Sequence, residues 1–359
     1  MDVNADPSLE AERMEPGADL SGYEGRGQSL ADLNLEGANL QRADLREAEL
    51  SGIRFAGADF RGADLRGATL TECLCTGADF RDADLTDAVI EASLLDDTQL
   101  QGAQLEGVSV QDSDLSGVDA GGTVMAGATF RGVRFDGANL AECDCTEADL
   151  QESIFVGAVL ARVSLRGANL QRAVLTESNL AEADCTDAVL SGAVLDRVRA
   201  PGAQFGGSTI VSASARRADL SGCDFSGAKM SASVFVRATL YQSMLTDIVG
   251  DYAVFEHADL RGTEWRDAQF PLCNFVGADF SGAQAAQCDF YGADFYWAQL
   301  DALRTTGCDF EDTRQPSAPT AKFGPGPSPP AIESVPLYRR PATDQQRAAL
   351  ARGQSIGEG

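Results

Sequence analysis

The chain has 359 residues, 55 acidic against 28 basic, and a formal net charge of −27. That balance argues against a protein that grips nucleic acid phosphates or an anionic membrane, because both are held by clustered Lys and Arg. It leaves three origins for the acidity open: a salt-rich cytosol in which screening tolerates self-repulsion, a GC-rich genome, or an acidic binding surface. The halophile reading is supported by the scarcity of lysine, of which there are only two, Lys229 and Lys322.

Residues 1–17 read as an acidic N-terminal extension. "MDVNADPSLEAERM" lacks the apolar core of a secretory signal. Its "DPSLEAERM" predicts a short helix, with Asp6 as cap and Pro7 in the first turn. No uninterrupted apolar run approaches the roughly 18–20 residues of a membrane span. A soluble, cytoplasmic chain with no membrane partner is the expectation.

From residue 18 to residue 312 the sequence repeats every five residues, as in "GADFRGADLRGATL" at 57–70. Take each residue whose number is divisible by five, from Leu30 to Phe310, as a repeat centre. Of these 57 positions 42 are Leu or Phe, and they hold 16 of the chain's 17 Phe. Two residues before each centre, 52 of 57 positions are Ala, Cys, Ser, Thr or Val, and no charge falls on either position. Two positions therefore point inward and three outward. A helix turns about 500° in five residues, so the apolar residue would wander over every face. A strand alternates with period two, and five is odd. A coil of short extended sides joined by regular turns meets the pattern. Gly occupies the second residue after the centre at 25 of 56 sites. A type II turn that starts at the centre places φ > 0 there. Pro201 and Pro271, the only prolines inside the array, directly follow a centre, where the same turn favours their fixed φ.

The units "ADFRG", "ADLRG", "ANLQR" and "ADLSG" resemble the pentapeptide repeat family. The resemblance implies an all-β fold, a right-handed quadrilateral parallel β-helix with four pentapeptides per coil. The 57 repeats then make about 14 coils, a rod about 65–70 Å long at one strand spacing per coil. The small centres Ala120, Ala200, Ala215, Gly250 and Ala285 predict looser packing at those points. The resemblance also implies functions: some members mimic duplex DNA and bind DNA gyrase, protecting it from quinolones or other topoisomerase poisons. Others pair end to end.

Residues 313–341 form a Pro-rich linker, and 342–359 a short C-terminal helix and tail. Thr343 and Gln346 supply a capping box, and Gly353 a stop. Both terminal segments are expected to cover the open strand edges of the rod.

All nine cysteines fall on inward positions, where free Cys behaves as a small hydrophobe, so neither metal nor disulfide is expected. The single histidine, His257, lies at an outward turn beside Glu256. No nucleophile, base and orienting group can be assembled, so no catalytic residue, no cofactor and no enzymatic activity are expected. The outward carboxylates Asp44, Asp59, Asp64, Glu72, Asp79, Asp82, Asp84, Asp87, Asp96 and Asp97 form the candidate acidic partner surface. Between Gly67 and Phe130 there are twelve acids and one base, Arg81. The 20-residue coil stacks Asp44, Asp64 and Asp84 in one column and Asp59 over Asp79 in another, where like charges repel unless a counter-charge intervenes. Tyr241, Tyr252, Tyr291, Tyr296 and Trp297 form the candidate C-terminal contact patch, with Pro271 and Leu272 beside them. Its cover is either the chain's own linker, through Phe323 and Tyr338, or a partner such as a second copy. The expectation is a rigid interaction scaffold for an unidentified protein partner. The rival is a DNA mimic directed at gyrase or another type II topoisomerase.

Overall fold

Parallel bridges between residues 20 apart run through the described residues. In the computed structural model, which describes residues 14–314, parallel bridges join Asp19 to Asn39, Asn39 to Asp59, Asp59 to Asp79, and so on to Asp294 with Arg314. One coil is therefore 20 residues, and the chain winds as a parallel β-helix of about 14 coils. Two stretches pair closely enough to form three-residue strands. The first six, β1 (Ser29–Ala31), β2 (Glu49–Ser51), β3 (Thr69–Thr71), β4 (Val89–Glu91), β5 (Ser109–Gln111) and β6 (Thr129–Arg131), make one parallel sheet. A second sheet near the C-terminus holds β7 (Met244–Thr246), β8 (Glu264–Arg266), β9 (Gln284–Ala286) and β10 (Arg304–Thr306). The terminal helices expected at "DPSLEAERM" and after Thr343 lie outside the described residues.

The corners follow the turn chemistry read from the glycines. Every fifth residue from Gly17 to Asp312 has a left-handed φ, between 48° and 76°. Most corners close with the expected bond, as where Ala63 N–H donates to Phe60 O at 2.9 Å and Ala168 N–H to Leu165 O at 3.0 Å. Corners at β3 and β4 differ. There Cys73 N–H donates to Ser93 Oγ of the next coil at 3.0 Å, and Ser93 N–H to Ser113 Oγ at 3.1 Å. Thirty-two left-handed corners carry a side chain, among them Glu72, Asp82, Arg217 and His257. Each costs on the order of 1 kcal/mol relative to Gly. The cost persists because amides on either side of each corner are fixed to the next coil, as Arg217 N–H is to Val236 O at 3.0 Å.

The two inward positions build one continuous core. Phe235, Phe255, Phe275 and Phe295 stack in a single column with ring centroids 4.9, 5.2 and 5.1 Å apart, one coil per ring. Inward hydroxyls cap the turn before them: Thr98, Ser178 and Ser208 each donate to the carbonyl three residues earlier, at 2.7–2.8 Å. Burial without a partner would otherwise cost more than the small side chain gains.

At Gly250 and Ala285 the space is filled from the neighbouring coil, against the expectation of loose packing there. A Cβ on Gly250 would stand 2.3 Å from the Phe270 ring, so the ring already occupies that space. Trp265 pairs in register with Ala285, and it is buried with its indole N–H donating to Thr263 Oγ1 at 2.7 Å. Inward Sγ and Oγ atoms also bond back by 23 residues. Cys143, Cys223 and Cys273 point Sγ at the carbonyls of Ala120, Ala200 and Gly250, at 2.9, 3.0 and 2.9 Å. The same contact follows large centres, as from Cys73 Sγ to Leu50 O at 3.4 Å and from Ser243 Oγ to Leu220 O at 2.8 Å. A void of about 10 Å³ lies between Leu85 and Met125, at the limit for holding a water.

Candidate interaction surface

Four corner ridges and four faces make the outside of the rod. The first ridge carries Arg42 and Asp82, the second Glu47 and Asp87, the third Glu72 and Tyr252, and the fourth Asp97, Arg197 and Trp297. Outward residues on one ridge are 20 apart in sequence and one strand spacing apart in space, about 4.8 Å. Side-chain chemistry at this repeat decides what each ridge can bind.

The acidic columns are stapled by arginine. Arg61 binds Asp59 at 2.6 Å and approaches Asp79 of the next coil at 3.6 Å. Arg66 spans Asp64 and Asp84 at 2.6 and 3.5 Å, and Arg46 contacts both Asp44 and Asp64. Arg81 adds a second contact to Asp79 at 2.6 Å. The guanidinium two residues after each Asp thus supplies the counter-charge that the column requires. It holds the Asp44 and Asp59 carboxyls down to about 2 and lowers those of Asp64 and Asp79. These four residues, with Asp84, are partly neutralised within the rod.

The remaining candidates sit elsewhere. Glu72, Asp82, Asp87 and Asp97 occupy corner sites on four different ridges, and none forms an ion pair. Asp96 accepts a hydrogen bond from Thr76 Oγ1 at 2.9 Å. Glu106, a carboxylate the candidate set omitted, also forms no ion pair. The structure therefore divides the ten acids into two stapled columns and a girdle of corner carboxylates around coils 67–130.

The aromatic residues divide as well. Tyr252, Leu272 and Tyr291 follow one another along the third ridge and are exposed, Tyr252 by 61%. Tyr291 donates from its hydroxyl to Asp312 at 3.0 Å. Tyr296 and Trp297 stack at 4.5 Å on the fourth ridge, with the Arg314 guanidinium 3.9 Å from the Tyr296 ring centre. Tyr241 stands on the first ridge, diagonal to the third, under Arg261 at 5.7 Å. The coil period, which fixes these placements, was available in the sequence; sorting by 20 rather than by 5 separates the ridges.

The nine cysteines are free, and all but Cys308 are buried. Burial pushes the Cys73 thiol up to about 11 and that of Cys223 to about 12. No group of three or more His, Cys, Asp or Glu among the described residues could hold a metal ion.

The pentapeptide repeats profile matches the sequence in eight copies, over residues 34–72, 73–112, 111–144, 143–180, 173–210, 213–248, 251–283 and 272–312. The chain belongs to the pentapeptide repeat family. Among solved structures it is similar to HetL, a pentapeptide repeat protein involved in heterocyst differentiation regulation from the cyanobacterium Nostoc sp. strain PCC 7120. The likeness is 22% identity over 87% of this chain and 94% of HetL, with a TM-score of 0.22. It is also similar to trypsin-treated QnrB1, a plasmid-mediated fluoroquinolone resistance protein, at 22% identity over 67% of this chain and 90% of that one, with a TM-score of 0.26. A third likeness is to Rfr23 from the cyanobacterium Cyanothece 51142, at 18% identity over 37% of this chain and 90% of Rfr23, with a TM-score of 0.16. No curated protein sequence matches the chain.

Proposed function

We propose that this protein is a rigid, non-enzymatic scaffold for a protein partner, and that the carboxylate girdle of coils 67–130 meets a basic surface of that partner. The observation that carries the reading is the contrast within the acidic set. Asp44, Asp59, Asp64, Asp79 and Asp84 are engaged by arginines of the rod. Glu72, Asp82, Asp87, Asp97 and Glu106 form no ion pair, and this stretch holds twelve acids with one base. Exposed carboxylates concentrated in this way attract and orient a cationic partner. Affinity capture with the full chain, beside a variant carrying E72Q, D82N, D87N, D97N and E106Q, tests it. The reading predicts proteins retained by the wild type and lost with the variant. An identical set retained by both contradicts it.

The gyrase-directed DNA mimic is the second reading, favoured by the same girdle. Residues 161–240 weigh against it, with nine basic and seven acidic side chains where a duplex surrogate needs continuous negative charge. Supercoiling by purified gyrase, with and without a quinolone, separates the two: unchanged supercoiling at micromolar protein removes the mimic. We infer a cytoplasmic location, supported by nine free cysteines, which suit a reducing compartment. A homodimer through the C-terminal end is supported by the half-buried Leu300, Leu303 and Phe310 of the last described coil. Light scattering reads it as twice the monomer mass.

A further inference from the structure

The fourth ridge stacks arginine on arginine. Three corner arginines are answered by a glutamate one coil before: Arg162 by Glu142, Arg172 by Glu152 at 3.3 Å, Arg197 by Glu177 at 2.7 Å. Before Arg217 and Arg237 that position holds Arg197 and Arg217 instead. Neither Arg217 nor Arg237 forms an ion pair or a side-chain hydrogen bond among the described residues. Their backbones are locked in register, Arg197 N–H to Arg216 O at 2.8 Å, Arg217 N–H to Val236 O at 3.0 Å and Arg237 N–H to Glu256 O at 2.9 Å. Three guanidinium-bearing corners therefore stack along the rod at one strand spacing, about 4.8 Å each. They line a groove of about 490 Å³, with Arg216 beside them and Val236 in the wall. Of the carboxylates at its ends, Asp196 is engaged within the rod and Glu256 stands beside His257. Asp196 accepts from Ser214 Oγ at 2.5 Å and faces Arg216 at 4.0 Å, and Glu256 lies 3.8 Å from His257.

We propose that this groove binds a short chain of phosphate groups laid along the fourth ridge across Arg197, Arg217 and Arg237. Guanidinium groups one strand spacing apart repel one another unless an anion sits between them, and guanidinium forks match phosphate oxygens two at a time. A linear row of cations selects an anion whose charges also lie in a row. The acidic body of the rod selects against a long one. A short oligophosphate stays within a Debye length of the arginines, about 8 Å, whereas a nucleic acid strand would extend over the acidic coils on either side.

Calorimetric titration of the full chain with inorganic tripolyphosphate at fixed ionic strength tests the proposal. It predicts saturable binding with one site per chain, weaker for orthophosphate by about tenfold or more, as expected when further charge-assisted contacts are lost. R217Q with R237Q weakens tripolyphosphate binding by about tenfold or more. R162Q with R172Q removes the same charge from other ridges and leaves it unchanged. Gln already occupies corner sites at Gln242 and Gln287, so these variants are expected to fold, and their melting curves check it. Independently, tripolyphosphate raises the melting temperature of the wild type and not that of R217Q/R237Q. A nucleoside triphosphate that binds at least as tightly as tripolyphosphate points to a nucleotide as the source, and one that binds less tightly points to the free chain. Both results uphold the site. No saturable binding, equal weakening by the two double variants, or tighter binding of a single-stranded oligonucleotide than of tripolyphosphate would overturn it.

Discussion

Coils 85–125 and coils 255–310 share one backbone and differ in nearly everything attached to it. The first have Leu, Ile, Val, Ala and Met as centres, no Phe, and a small interior void. Their outer surface is the carboxylate girdle. The second centre on a Phe column and a buried Trp265, and their corners carry Leu272 and Trp297, with Tyr291 beside the Gly292 corner. Left-handed corners recur every fifth residue in both, and pairing stays at 20. The backbone is thus indifferent to what its corners display. Recognition can change from coil to coil while the fold persists, at the modest cost of a left-handed side chain at each corner that is not Gly.

The comparison can be broken first in the core. Trp265→Ala should cost about 3–5 kcal/mol in denaturant unfolding, since the indole touches Phe rings from several coils. Leu105→Ala, beside the existing void, should cost about 2 kcal/mol, the low end for such truncations. Equal costs would mean that the aromatic coils are no better packed than the aliphatic ones. Next, Gly250→Leu should destabilise by about 1–3 kcal/mol, because Phe270 fills the site. An unchanged melting curve would contradict the filled-space account.

Smaller effects sharpen the surface side. Asp44 and Asp59 titrate near 2 when folded, below the ordinary 3.8. A depressed carboxyl contributes stability that is present above the ordinary value and lost as pH falls through the folded one. Melting temperature should therefore decline slightly between pH about 4 and 2. Arg61→Gln should shrink that decline by releasing Asp59, with little change at neutral pH because the pair is exposed. A decline of the same size in the variant would assign the acid sensitivity elsewhere. Smallest of all, a thiol reagent should find one accessible cysteine, Cys308, in the native chain and nine after unfolding. Several fast native thiols would contradict the inward assignment.

Much of this was legible in the sequence because burial in a repeat is periodic. The period of five assigned Phe60, Ala63 and Leu65 to the interior and Gly62 to a corner, and each is so placed. The stapled columns were half legible: Asp44, Asp64 and Asp84 were seen to stack, but the arginine two residues on was not connected to them. What was missed depends on distances of one coil or slightly more. The inward contact of Cys143, Cys223 and Cys273 with the carbonyls of Ala120, Ala200 and Gly250 spans 23 residues, and the Arg197–Arg217–Arg237 ridge spans 20 per step. A reading by fives passes over both. The five candidate aromatics were grouped by closeness in sequence, whereas around a four-sided rod residues 241 and 252 fall on diagonal ridges.

The central claim is that the inward positions make the fold and the unpaired corner carboxylates of coils 67–130 make the interaction. Its most direct measurement pairs thermal melting with quantified partner retention for the five-site E72Q/D82N/D87N/D97N/E106Q variant against the wild type. The account predicts an unchanged or slightly raised melting temperature, from relieved self-repulsion, together with loss of the retained proteins. Retention equal to that of the wild type, with the fold intact, would contradict it.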